Sequence, residues 1–288
     1  MPFDSSGFTA KIIEPLGIRS GRHLPTGINR IASLNNRFLT TAWYDASVLK
    51  KRALRAIAGR SLSPETSPQT PGKAPITFIH ISKNAGTEIG RRLQEANDIL
   101  GEERFRKSHH DFKLRRLPKG HDYFFSIRNP VDRYFSAFYS RKRKGRPRYN
   151  TEWTAHEALA FEAFDHANDL AEALFSEGQN GKQAFYAMKS ISHVTRNQVD
   201  NFVRTGNFLT VRPPLAIIRV SNLESDMARF MSNLGIDPVV LAPDPVKSHQ
   251  NDYSKVPELT DLSRKNLAKW YVQDLELLRV CEEWIEAQ

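Results

Sequence analysis

Residues Ile76 to Arg91 read ITFIHISKNAGTEIGR: an apolar run, a turn of small and polar residues, and the opening of a helix. No other stretch limits the fold as strongly. A short apolar run bounded by turn signals reads as a buried strand, and Ile89, Leu93, Ala96 and Leu100 form the apolar stripe of the helix that follows. The turn between them, Lys83-Asn84-Ala85-Gly86-Thr87, points several free backbone N–H groups at one spot. The positive end of the helix dipole lies there, and Lys83 adds a full charge. Such a turn is a receptacle for a phosphate or similar anion.

The same unit recurs along the chain. Tyr123–Ile127 is a second strand, broken by Asn129-Pro130, and Pro130 suits the first turn of a helix through Val131, Tyr134, Phe135 and Phe138. Leu215–Val220 is a third strand, leading through Ser221-Asn222 into a helix that ends near Gly235. Residues 152–190 read as two or three helices punctuated by Gly178 and Gly181. A Pro-rich loop spans 237–250, and Leu267, Tyr271, Leu275 and Leu278 mark a C-terminal helix. Strand–helix units joined by long connections imply an α/β fold in three layers, a central parallel sheet flanked by helices.

Upstream, residues 59–75 carry Pro64, Pro68, Pro71 and Pro75 among Ser, Thr and Gly, the composition of a linker. Residues 44–58 place Val48, Leu49, Ala53 and Ile57 opposite Lys50, Lys51, Arg52 and Arg55. That helix either docks with a solvated basic face or lies on a membrane surface. Residues 1–43 show no period. The expected organisation is an extension and linker over 1–73, then a single catalytic domain over 74–288.

Cys281 is the only cysteine, so no intrachain disulfide can form, and a structural zinc site is disfavoured. No apolar run approaches the roughly 20 residues that span a bilayer, and the N-terminus lacks the hydrophobic segment of a signal peptide. A cytoplasmic protein is expected, with peripheral contact at an anionic membrane face left open. Lys and Arg number 42 against 32 Asp and Glu, a net charge of +10. That balance favours anionic partners.

The anion turn departs from two common phosphate loops. The triphosphatase loop needs a lysine after its second glycine, whereas Lys83 precedes Gly86. The dinucleotide pattern G-x-G-x-x-G is absent. K-x-A-G-T between strand and helix instead resembles the 5′-phosphosulfate loop of sulfotransferases that use 3′-phosphoadenosine 5′-phosphosulfate (PAPS). FFSIRNPVDRYFSAFYSR, residues 124–141, resembles the same family's 3′-phosphate segment, with Arg128 at the arginine and Ser136 at the serine. The likeness extends weakly over 217–236 and the C-terminal WYVQDLELL, covering roughly 75–284, and is nearest in kind to the carbohydrate sulfotransferases.

The resemblance implies a P-loop-like fold, PAPS as cofactor with no metal, and a carbohydrate or glycolipid acceptor, acidic acceptors included. It assigns the 5′-phosphate to Lys83, Asn84, Ala85, Gly86, Thr87 and Glu88, and the 3′-phosphate to Arg128 and Ser136. Lys83 would also be catalytic. SHHDF, residues 108–112, resembles the His-x-Asp-aromatic setting of the catalytic base in glycan 6-O-sulfotransferases, which puts His109 on the base ahead of its neighbour His110. A histidine near its ordinary pKa of about 6.5 can take a hydroxyl proton at neutral pH. His80, alternating within the first strand, reads as a core histidine, and His249 as a weak cofactor contact. Arg133 reads as an ion-pairing arginine or a ligand.

Two residues break the family pattern. Ser82 stands where proline is common, and Glu88 where serine or threonine is usual. Glu88 suits the helix dipole but would repel a phosphosulfate if it faced the loop. A competing reading comes from RKRKGRPRYN, residues 141–150, whose Arg-Pro-Arg resembles an AT-hook for the DNA minor groove. Under that reading the chain binds nucleotide or DNA without transferring sulfate; nucleic acid is the disfavoured partner. A third is another transferase or kinase using the same anion turn.

Overall fold

The structure, a computed structural model, describes residues 74–237 and 253–288. The expectations for 1–73, for most of the Pro-rich loop and for His249 fall outside those residues.

Four strands form one all-parallel sheet in the order β2-β1-β3-β4: β1 (Ile76–Ile79), β2 (Phe105–Lys107), β3 (Tyr123–Ile127) and β4 (Ala216–Arg219). Both central strands are buried along their whole length, because helices cover both faces. Side chains alternate accordingly. Tyr123, Phe125 and Ile127 join Ile79, Ile217 and Leu277 in one cluster, while Phe124 joins Ile76, Phe78 and Ile218 in the other.

The second cluster is closed by α1 (Gly86–Leu100) through Ile89, Leu93 and Ala96. Met227, Phe230 and Met231 of α7 (Leu223–Asn233) complete it. The first is closed by α9 (Val272–Glu286) through Leu277, Cys281 and Ile285. The architecture is therefore α/β, a four-stranded parallel sheet between helical layers.

A third cluster lies among helices and the residues flanking them, with no strand residue in it. It joins α2 (Pro130–Lys142), α3 (Ala155–Ala163), α4 (Ala167–Ala173), α5 (Gly178–Ser190) and α8 (Asp261–Trp270). Residues 152–190 thus hold three helices, and a short α6 (Phe208–Val211) precedes β4.

The boundaries follow local chemistry. Asn129 caps α2 by accepting a hydrogen bond from the Val131 N–H at 2.9 Å, with Pro130 at the first helical position. Thr154 and Glu157 form a reciprocal capping box on α3. The C-terminal stripe is interrupted at Tyr271, which separates α8 from α9 and buries its ring. β2 is unexpected: of its three residues only Phe105 is buried.

From β1 the chain moves outward to β2, then returns past β1 to β3. Strand order reverses between β1 and β3, and in open parallel sheets the crevice beyond such strand ends is where ligands bind.

Candidate anion-binding and catalytic site

A cleft of about 540 Å³ opens at this reversal. The turn after β1 enters it in a left-handed conformation, with φ 67° at Lys83 and 55° at Ala85. Alternation of that kind gathers successive N–H groups into an anion-sized concavity. Ala85 caps α1 without any side-chain acceptor, so the first-turn N–H groups are not satisfied from within. Gly86 is required by a close approach: a Cβ there would lie 1.8 Å from His80 Nε2.

Lys83 lines the cleft with Ala85, Gly86, Thr87 and Glu88. Among the described residues its ammonium has no carboxylate partner. Burial, then the charges of Arg128 and Arg143, bring its pKa down from 10.5 to about 8. A cation held without a counter-charge in this way is stabilised by an incoming anion. Glu88 also borders the cleft, but turns along α1 to meet Arg91 at 3.1 Å and Arg92 at 3.2 Å. Its carboxylate is thus paired along the helix rather than left bare beside the turn.

Asn84 has a different place. It is fully buried, donating to the Ser126 carbonyl at 2.8 Å and to Gln198 Oε1 at 2.6 Å, and it does not line the cleft. Its side chain shapes the turn. The Ser126 hydroxyl returns a bond to the Asn84 carbonyl at 2.7 Å, riveting the turn to β3.

Arg128, at the end of β3, and Ser136, on α2, open into the same cleft. The Arg128 guanidinium donates to the Lys83 carbonyl at 3.3 Å, joining the two segments read separately from sequence. Gln198 joins them again: its Oε1 accepts from the Arg128 N–H at 3.1 Å as well as from Asn84, and its Nε2 donates to the Arg128 carbonyl at 2.8 Å. Gln198 is held in turn by Asp274 of α9, which accepts from its N–H at 2.9 Å. Nothing local in the sequence marks Gln198.

The histidine loop is placed by tertiary contacts. The His80 N–H donates to Ser108 Oγ at 3.0 Å, and a turn closes from the Phe112 N–H to the His109 carbonyl at 3.0 Å. Asn201 Nδ2 donates to the Phe112 carbonyl at 2.8 Å, and Arg196 pairs with Asp111. This geometry leaves His109 exposed and outside the cleft and turns His110 into it. Of the two neighbours it is therefore His110, not the expected His109, that lines the cleft, because the turn that closes on the His109 carbonyl carries the next side chain inward.

His110 lies against His80, ring centroids 3.9 Å apart, and against His193 at 5.7 Å. Burial, then the charges of Arg196 and Lys107, lower its pKa to about 4, so it is neutral at pH 7. Burial lowers His80 to about 2, with His110 and Lys107 adding to the effect. His80 is buried as expected of a core histidine, yet it also forms cleft wall. Lys107 lies along α1, where a Cβ at Gly90 would come within 2.9 Å of its Nζ. Among the described residues no cluster of three or more potential ligands is suited to a metal ion.

The basic stretch 141–150 divides. Arg141 makes a buried two-pronged pair with Glu157, both bonds 2.8 Å, while Lys142 pairs with Asp165 and Lys144 with Glu152. Arg143, Arg146 and Arg148 border the cleft, as does the paired Arg141. Arg133 is sealed inside, donating to the His193 carbonyl at 3.1 Å and facing Asp274 at 3.6 Å. Its role is structural. Among the described residues no helix is long and apolar enough to cross a membrane. No known family model matches the chain, and no curated protein matches it.

Proposed function

We propose that this chain is a PAPS-dependent sulfotransferase with a P-loop-like fold, acting on a hydroxyl of a carbohydrate or glycoconjugate. One observation carries the reading: the Lys83 turn and the Arg128–Ser136 segment share a single cleft with a neutral histidine. The donor set suits a nucleotide with phosphates at both ends. Lys83 and the α1 N-terminus would take the 5′-phosphosulfate, with Thr87 adding a hydroxyl. Arg128 offers a planar fork, and Ser136 a hydroxyl, to the 3′-phosphate.

PAPS supplies an activated sulfuryl group. His110 takes the acceptor hydroxyl's proton as that oxygen bonds to sulfur and the bond from sulfur to the bridging phosphate oxygen breaks. Lys83 neutralises the charge that develops on the departing phosphate. The arginines at the mouth favour an acidic acceptor, and the same surface suits an anionic membrane.

Binding of 3′,5′-ADP and 5′-AMP, measured by calorimetry, tests the nucleotide assignment. Arg128→Ala should weaken the bisphosphate at least 10-fold more than the monophosphate, as expected for losing a charged hydrogen-bonding partner. Equal losses, or wild-type affinity for ATP matching that for 3′,5′-ADP, would contradict the reading. Transfer of labelled sulfate from PAPS to a polysaccharide extract separates the histidines. His110→Ala should lose at least 100-fold in rate, whereas His109→Ala should stay within about threefold of wild type, an exposed change of little consequence.

A further inference from the structure

His193 enters the same cleft from an element that carries none of the recognised motifs. It sits just beyond α5 with φ 67°, a left-handed conformation that is uncommon outside glycine, though histidine is among the residues that adopt it most readily. Its backbone is held by the bond from Arg133, fully buried and facing Asp274, to the His193 carbonyl. The same buried arginine also donates to the Arg196 carbonyl, so it fixes the segment at two points.

Among the described residues no group hydrogen-bonds to the His193 imidazole, and its Nδ1 is buried without a partner. Nε2 is therefore the ring nitrogen left to face the cleft that His193 lines. Two cleft residues neighbour it: His110, with ring centroids 5.7 Å away, and Lys83, the strongest charge acting on it. Burial, Lys83 and His110 together lower its pKa to about 3, which keeps the ring neutral and the position unsuited to a second cation. A neutral imidazole between a lysine that holds an anion and a histidine that faces the acceptor can donate one hydrogen bond and still leave Nδ1 as a bare lone pair.

Resting on the sulfotransferase reading, we propose that His193 is a further catalytic residue, whose Nε2–H donates to a non-bridging oxygen of the sulfuryl group between Lys83 and His110. The proton stays on nitrogen throughout. The bond positions the sulfuryl group and withdraws charge from its oxygens while His110 alone accepts the acceptor's proton.

The product nucleotide lacks the group that His193 would touch, which gives a test independent of any acceptor. Affinities of the full chain for PAPS and for 3′,5′-ADP are measured by calorimetry in wild type and in His193→Ala. The alanine variant should lose about 10-fold or more in PAPS affinity, the range for a hydrogen bond to a charged group, with 3′,5′-ADP affinity within about twofold of wild type. Retained 3′,5′-ADP binding also certifies the fold. If His193→Ala does not fold, His193→Asn carries the same comparison, since asparagine tolerates the left-handed backbone and is too short to reach the same oxygen. Equal losses for both nucleotides, or none for either, overturn the His193 role and leave the sulfotransferase reading standing. Failure of the wild type to bind either nucleotide overturns both.

Discussion

Lys83 shows how one side chain is tuned by where its backbone is sent. The left-handed turn carries it inward, and burial beside Arg128 and Arg143 leaves it with a pKa of about 8. A bound phosphate favours the protonated form, so affinity is linked to pH. Above pH 8 binding must take up a proton that the free protein has lost, and 3′,5′-ADP affinity should fall by up to about 10-fold per pH unit. The ligand's own phosphates, with a second pKa near about 6, no longer change there. Calorimetry from pH 7 to 10 reads this directly, and Lys83→Met should remove the slope. A slope unchanged in that variant would mean another group titrates. The lysine and glycine of this turn were legible in sequence. Which of His109 and His110 enters the cleft was not, because it depends on Ser108 meeting His80 and on Asn201 holding the Phe112 carbonyl, both distant contacts.

At the scale of elements, β1, β3 and β4 are legible because apolar runs end in turn signals. β2 is not, since a three-residue edge strand with one buried side chain carries no period. The break between α8 and α9 is equally silent, as the apolar stripe runs straight through it. Gln198 and His193 escaped for the same reason: their neighbours are assembled by the fold. Gln198 bridges the turns after β1 and β3 with three side-chain hydrogen bonds. Gln198→Leu would remove one of the two bonds of the Asn84 amide and leave the Arg128 N–H and carbonyl without their Gln198 partner, a destabilisation of about 1–3 kcal/mol. Chemical denaturation should show that loss. The ratio of 3′,5′-ADP to 5′-AMP affinity should also shrink, because the two phosphate sites are no longer held at one spacing. A loss of stability with the ratio unchanged would reduce Gln198 to packing.

For the molecule as a whole, three imidazoles are buried neutral at one end of the sheet. His80, His193 and His110 have pKa values of about 2, 3 and 4, against 6.5 when exposed. The unfolded chain therefore binds more protons than the folded one below pH 6.5, and stability falls as pH falls. The contribution is complete above that value and drains away toward pH 4 and below. Thermal midpoints should decline steadily from pH 7.5 to 4.5, more shallowly in His193→Asn. A midpoint flat across that range would contradict burial of the cluster. Nucleotide binding acts against the decline, since an anion beside these rings favours their protonation.

The bond between Gln198 and Asp274 also has a consequence in time. Asn84 waits 114 residues for Gln198, and Gln198 waits 76 more for Asp274. A ribosome adding about 5–20 residues per second needs tens of seconds or less to cover that stretch. Throughout it the nascent turn has its lysine and its helix but not its brace. The proposed anion site is begun early in synthesis and completed only when α9 emerges, so a half-made chain has no finished cleft to offer a nucleotide.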